Sequence, residues 1–281
     1  MLHRKGRSNC LHKKGRSSTI NKKAGLALDI YKNNLVLDFS YYRLLSSYKG
    51  ACVRVRRSSD NAEQDFGFVS DYIDVYGILA FCDGGSGYVK TWYNQYGLGN
   101  NAIQNTNANQ PRIVNAGVFD SEGLFFSGSH GLRVNNYSGI DFTTNLFSIL
   151  VKAKMTNDAT IGFPIAKNVD SSANTQYALL SNAKSLTLRI EGAVDRIATT
   201  WQVSDGLSLV QARTNTNLHL SINNGASNVA SYSGALTSRP YLIVGARDNV
   251  GASLGGGFAG YIRTLVILND YIRGNSLIDK L

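Results

Sequence analysis

Trp92 and Trp201 are the side chains of this sequence best suited to lie flat against a sugar ring. Both fall in segments of alternating polarity, "GYVKTWYNQ" and "IATTWQVS", where a tryptophan is more often a core residue than a platform. Arg54, Arg56 and Arg57 precede Asp60, Glu63 and Asp65, a pattern that on neighbouring strands favours local ion pairs over a substrate clamp. His130 and His219 have no Ser or Cys beside them to suggest a hydrolytic triad. Asp248 and Asn249 could rim a Ca²⁺ site, although one carboxylate is thin support for it. His3, Cys10 and His12 match no zinc-ligand spacing. "GGSG" at 84–87 and "GGG" at 255–257 lack the strand-to-helix context of a phosphate cradle. No cofactor is expected.

The elements that must position these groups are mostly short strands. "ACVRVRR", "GYVKTWYNQ", "GLFFSG", "LFSILVKAKM", "SLTLRIEG", "IATTWQVS", "LHLSINN", "PYLIVGAR" and "FAGYIRTLVIL" alternate with Gly, Asn, Ser and Asp clusters. That spacing predicts an antiparallel sandwich. Ahead of them, Leu37, Tyr41, Leu44, Leu45 and Tyr48 fall at helical spacing, which predicts a short helix within residues 25–50. The closing "NDYIRGNSLIDKL" reads as one or two helical turns. No Pro-rich linker interrupts the chain, so residues 25–281 are expected to form one domain.

The charge sits elsewhere. Of 29 Lys and Arg against 19 Asp and Glu, eight basic residues and no acid fall in residues 1–24, which leaves the remainder close to neutral. The phrase "LHRKGRSNCLHKKGRSS" is nearly the same unit twice. Each unit offers one leucine for an apolar notch and cations for carboxylates of a larger assembly. Leu2, Arg4, Lys5 and Arg7 form the first unit, and Leu11, Lys13, Lys14 and Arg16 the second. The arm has no Phe, Trp or Tyr to stack on bases, so no specific nucleic-acid recognition is expected. No run approaches the roughly 18 to 20 apolar residues of a membrane span, and no membrane insertion is expected. The start of the chain has no apolar signal region, and three cysteines make an odd count without metal spacing; both fit synthesis in a reducing cytoplasm.

The run "LLSSYKGACVRVRRSSDNAEQDFGFV", then "GYVKTWYNQYGLGNNAIQNTNANQPRIVNAG" and "GLFFSGSHGL", resembles the N-terminal part of the α-L-arabinofuranosidase B catalytic domain, glycoside hydrolase family 54. The likeness spans residues 35–135. The same opening is similar to tailed-bacteriophage virion proteins carrying a concanavalin-like jelly roll, and "PYLIVGARDNVGASLGGGFAGYIRTLVIL" resembles the last strands of laminin-G-type domains. The resemblance implies an all-β, antiparallel, concanavalin-like (laminin-G-type) jelly-roll sandwich with a short N-terminal helix and an extended basic arm. It also implies where chemistry would lie. Asp248 matches the family's acid/base aspartate, and "NTQYALLSN" matches the stretch bearing the nucleophilic glutamate, placing Gln176 there. An amide cannot form the glycosyl ester, so the resemblance implies a fold that dropped its reaction.

Asn94 and Tyr96 stand where the family's "YDQSG" turn has Asp and Ser. With Trp92, Asp248 and Asn249 they are the candidate glycan contacts, and Asp248 is the one residual catalytic candidate. The expected function is a structural, non-enzymatic component of a bacteriophage virion, a head-decorating or tail-attached fibre protein. Its arm would bind capsid, portal or tail proteins, and its sandwich would face host-surface glycans as a homo-oligomer. The alternatives are a furanoside hydrolase and a plain lectin module.

Overall fold

The computed structural model describes residues 25–272 except 98, 136–137, 143–145, 170, 193, 215 and 250–252. The arm, with Leu2, Arg4, Lys5, Arg7, Leu11, Lys13, Lys14 and Arg16, lies outside the described residues, as does the segment expected to close the chain with a helical turn from 273 onward.

The chain folds into a nearly closed antiparallel sheet bent into two facing layers. One layer runs from Asp195–Thr200 through Ser185–Ile190, Ser171–Asn182, Gly162–Val169, Tyr241–Val244, Leu132–Asn135 and Ala102–Ile103 to Gly87–Trp92. The other centres on the long closing strand Ala259–Leu268, which pairs along one edge with Phe147–Met155. Its opposite edge is shared by Leu124–Ser127 and Leu35–Ser40. Phe147–Met155 continues to Ser208–Thr214, Asn217–Ile222 and Asn228–Ser231. Gly87–Trp92 links the two layers through Arg112–Asn115. This is the all-β sandwich that the alternating segments predict.

Alternation explains the core. Tyr177, Leu179, Leu186, Leu188, Ile190, Leu242 and Val244 point between the layers and join one continuous apolar core with Phe39, Trp92, Phe126 and Trp201. A second cluster lies on the outside of the other layer. There Ala27, Leu28, Leu44 and Leu45 cover Leu150, Leu209, Val266 and Leu268. The segments on either side of the first strand, Leu35–Ser40, therefore roof one outer face.

Residues 35–50 differ from expectation. The helical piece is a short 3₁₀ turn, Asp29–Asn34, and Leu35–Ser40 is a strand with all six residues buried. A strand buried on both sides has no polar alternation, so its apolar run imitates helical spacing. Tyr41, Leu44 and Leu45 are buried in an irregular segment tied down by Leu28 N–H to Leu44 O, 2.9 Å, and Leu44 N–H to Gln95 Oε1, 2.8 Å. The α-helix is instead Val75–Cys82. Asp74 caps it by accepting from Gly77 N–H at 2.9 Å, and Asp83 ends it in the left-handed region, φ 46°.

Candidate functional site

The turn after Gly87–Trp92 is structural. Trp92 is fully buried, 5.6 Å from the Phe39 ring, so it offers no sugar platform; an alternating strand carried it into the core. Trp201 is also fully buried and stacks on Phe258 at 5.9 Å. Asn94 is buried and accepts from Asp38 N–H at 3.1 Å, and Tyr96 N–H donates to Asp38 Oδ1 at 2.7 Å. Gln95 donates to Tyr42 O at 2.8 Å. Together they staple the turn to residues 38–44. Trp92 and Asn94 are thereby withdrawn from glycan contact, and Tyr96 is half-buried against the second apolar cluster.

The arginine-rich strand forms the ion pairs its spacing suggested. Arg54 reaches Glu63 at 3.4 Å and Asp65 at 3.6 Å, Lys90 reaches Glu63 at 2.8 Å, and Arg57 meets Asp60 at 2.7 Å. Arg56 departs from that pattern, donating to Gln110 Oε1 at 2.8 Å beneath the Tyr88 ring. His130 Nδ1 lies 3.3 Å from both Phe125 O and Ser127 N, and burial lowers its pKa. Among the described residues, no group of three or more His, Cys, Asp or Glu side chains could hold a metal ion.

Asp248 lies on a small hairpin, Arg247–Asn249 with Ser253–Gly255, laid against the outer face of the first layer. It is buried, and its carboxylate pairs with Arg133, whose guanidinium sits 4.2 Å from the Tyr241 ring centroid. Its backbone is clamped by Asn168, which accepts from Asp248 N–H and donates to Asp248 O, both at 2.9 Å. A guanidinium thus holds the carboxylate that would have to deliver a proton or bind calcium. Gln176 is fully buried, with Nε2 3.4 Å from Phe142 O and, among the described residues, no hydrogen-bond partner on Oε1. A hydrolase reading needs a second carboxylate beside Asp248, for which the sequence offers Asp170, Glu191 and Asp205; Glu191 accepts from Thr237 N–H and faces Arg239 at 4.0 Å. Asp205 caps its own turn by accepting from Gln202 N–H at 2.9 Å. Asp170 and the side chain of Asn249 lie outside what the structure describes.

Two clefts open beside this hairpin. The larger, about 400 Å³, is lined by Ile161, Phe163, Leu180, Asn182, Arg189 and Arg247, with Gly256 at its edge. The other, about 310 Å³, is lined by Ile103, Gln104, Asn105, Thr106, Asn109 and Arg133, with Leu254 from the hairpin. Sequence reasoning missed both sets. Arg189 and Arg133 were discoverable in principle, as outward arginines between inward Leu188 and Ile190 and between Leu132 and Val134. The meeting of Arg189 with Arg247 in one cleft, and of Arg133 with Asp248 beside the other, depends on pairings between distant strands.

Comparison with protein-family models and with curated proteins returns no match. Among solved structures, the chain is similar to an arabinofuranosidase complexed with arabinofuranosyl-α-1,2-xylobiose. The TM-score is 0.69 at 17% identity, covering 91% of this chain and 64% of that one. It is also similar to a GH54 α-L-arabinofuranosidase soaked with a cyclic sulfate inhibitor, with TM-score 0.66, 16% identity and coverage of 92% and 64%. The carbohydrate-binding module CBM40 of a Ruminococcus gnavus sialidase bound to α2,3-sialyllactose matches at TM-score 0.48 and 13% identity, over 56% of this chain and 95% of that one. The chain spans just under two thirds of the length of these arabinofuranosidases. At such identities the first two matches establish a shared β-sandwich fold.

Proposed function

We propose that this chain is a glycan-binding sandwich that does not hydrolyse what it binds. The observation that carries the reading is the pairing of Arg133 with Asp248, which lies on a hairpin whose residues wall two clefts. Retaining hydrolysis needs two carboxyl groups about 5 to 5.5 Å apart, one of them free to give and take a proton. At the positions that the sequence resemblance matches to those two groups, this chain has Gln176 and a carboxylate, Asp248, bound to arginine. The second cleft supplies what recognition needs: side-chain amides and a hydroxyl from Asn105, Thr106 and Asn109, set beside Ile103 and Leu254. The hydrolase alternative is supported by the shared fold with arabinofuranosidases, and fold by itself does not carry a reaction. Display on a bacteriophage particle through residues 1–24 rests on sequence resemblance and the arm's charge.

The test is a pair of assays on the full chain. Incubation with 4-nitrophenyl α-L-arabinofuranoside is expected to release no nitrophenol above the buffer rate. A glycan array is expected to give sugar-specific binding that the double variant Asn105→Ala/Asn109→Ala weakens. Turnover of the arabinoside would overturn the non-hydrolytic reading, and a silent array would overturn glycan binding.

A further inference from the structure

We infer that Arg56, buried behind the loop 104–110, is the positioning residue of the second cleft, and that the loop it sets reads the hydroxyl groups of an uncharged sugar residue; the inference rests on the glycan-binding reading above. Asn105, Thr106 and Asn109 line that cleft from the loop. Side chains on an irregular segment bind weakly if the ligand must order them, and more tightly if the fold has ordered them already. Here the ordering comes from beneath.

Arg56 comes from the strand Val53–Arg57 and is 7% exposed. Its Nε donates to Gln110 Oε1 at 2.8 Å, its Nη1 to Asn61 Oδ1 at 2.8 Å and its Nη2 to Asn107 O at 3.4 Å, with Cζ 5.0 Å from the Tyr88 ring centroid. Gln110 passes the constraint on: it is fully buried, and its Nε2 donates to Gln104 O at 2.9 Å. Gln104 commits its own amide to the same structure, donating to Gly131 O at 2.7 Å and accepting from Thr106 N–H at 2.9 Å. Gly131 N–H closes the circuit on Asn109 O at 3.1 Å. The planar guanidinium fork lets one side chain hold two loop positions and Asn61 at once. The local sequence agrees, since Pro111 restricts the residue before it to extended backbone, and Gln110 has φ −75° and ψ 130°.

The network leaves Asn105 and Thr106 exposed and Asn109 half-buried. Side-chain amides and a hydroxyl offer donors and acceptors together, which suits sugar hydroxyls that both give and take hydrogen bonds. Ile103, 36% exposed, and Leu254 give an apolar wall for the C–H face of a sugar ring. Gly131 brings that wall close, since a Cβ there would come within 2.9 Å of Leu254 Cδ1. Among the described residues lining the cleft, Arg133 alone is charged, and it already pairs with the buried Asp248. An acidic sugar would have to compete with that carboxylate for the same guanidinium, and separating a buried pair is costly. The cleft therefore favours a neutral ring.

The test is calorimetric titration of the full chain with arabinofuranosyl-α-1,2-xylobiose as the neutral probe and trigalacturonate as the acidic one, alongside ¹⁵N relaxation of residues 104–110. Wild type is compared with Arg56→Lys, Gln110→Met, Gln110→Glu and Asn105→Ala/Asn109→Ala, well below each melting midpoint. The neutral sugar is expected to bind wild type, and the Asn105→Ala/Asn109→Ala variant to weaken it without changing any trigalacturonate heat that arises on the basic arm. Arg56→Lys, which has no fork, and Gln110→Met, which cuts both side-chain bonds, should each weaken the neutral sugar about ten- to a hundredfold and raise mobility in residues 104–110 alone. Gln110→Glu keeps an acceptor for Arg56 and should recover part of that loss. Neutral-sugar binding that survives Arg56→Lys and Gln110→Met but is lost in Asn105→Ala/Asn109→Ala would overturn the positioning role and leave glycan binding standing. Trigalacturonate binding weakened by Asn105→Ala/Asn109→Ala as much as the neutral sugar is would overturn the uncharged ligand. No heat from the neutral sugar would overturn the inference, and together with a silent glycan array it would overturn the reading beneath it.

Discussion

Asp38 shows how a single buried carboxyl can record its environment. It is fully buried on the strand Leu35–Ser40; burial pushes its pKa well above the ordinary carboxylate range, and the N–H groups of Tyr96 and Gln95 only partly offset this. A raised pKa means that the folded protein keeps a proton that the unfolded chain has released. Its contribution to stability is therefore full below the unfolded value near 3.8 and is lost as pH rises toward the folded pKa. Asp38→Asn keeps an oxygen for Tyr96 N–H and removes the titration. Chemical denaturation of both proteins from pH 3.5 to 7 should show the variant gaining on wild type as pH rises, by at most about 1.4 kcal/mol per pH unit. A gap that stays constant or closes would contradict the assignment. This residue was illegible in the sequence, because "LVLDFS" looks like part of a helix face. Conversely, Arg57 and Asp60 were legible, because a pair three residues apart across a turn needs no distant partner.

Elements whose partners are near in sequence, or whose one face is solvated, were the readable ones. Phe147–Met155 alternates over Val151–Met155 and Ala259–Leu268 over Ala259–Thr264, and these two segments, with Val53–Arg57, were expected as strands. Gly162–Val169 has no residue more exposed than half-buried, so it carries no polar rhythm. The helix Val75–Cys82 is apolar nearly throughout, and Asp74 and Asp83 were its only punctuation. The hairpin that shapes both clefts hangs on Gly245, whose φ is +83° and where a Cβ would lie 2.0 Å from the Phe126 ring. Gly245 also donates to Pro164 O at 2.9 Å and accepts from Phe258 N–H at 2.8 Å. Gly245→Ala should cost about 3 kcal/mol or more in urea denaturation, combining backbone strain with overpacking. A loss under about 1 kcal/mol would mean that the hairpin is seated by other contacts.

At the scale of the whole molecule, composition alone separated a nearly neutral body from a basic arm. The alternating segments together specified the sandwich. What the sequence concealed was which face is open. One outer face is roofed by residues 27–45, whereas the other carries the hairpin and its clefts. That distinction depends on pairings such as Leu132–Asn135 with Tyr241–Val244, more than 100 residues apart. The charge asymmetry predicts that the full chain is retained on heparin and elutes with rising salt, and that removing residues 1–24 abolishes retention while leaving the melting midpoint unchanged. Retention of the shortened chain would move the polyanion contact to the body.

The most direct measurement is a ¹⁵N–¹H NMR titration of the full chain with arabinoxylan oligosaccharides, followed for a day to detect cleavage. The account predicts saturable shifts confined to residues 104–110, to the hairpin around Asp248 and to the strands bearing Arg133, Phe163 and Arg189, with the sugars intact at the end. Shifts confined to the face roofed by residues 27–45, no shifts at all, or shortened sugars would contradict it.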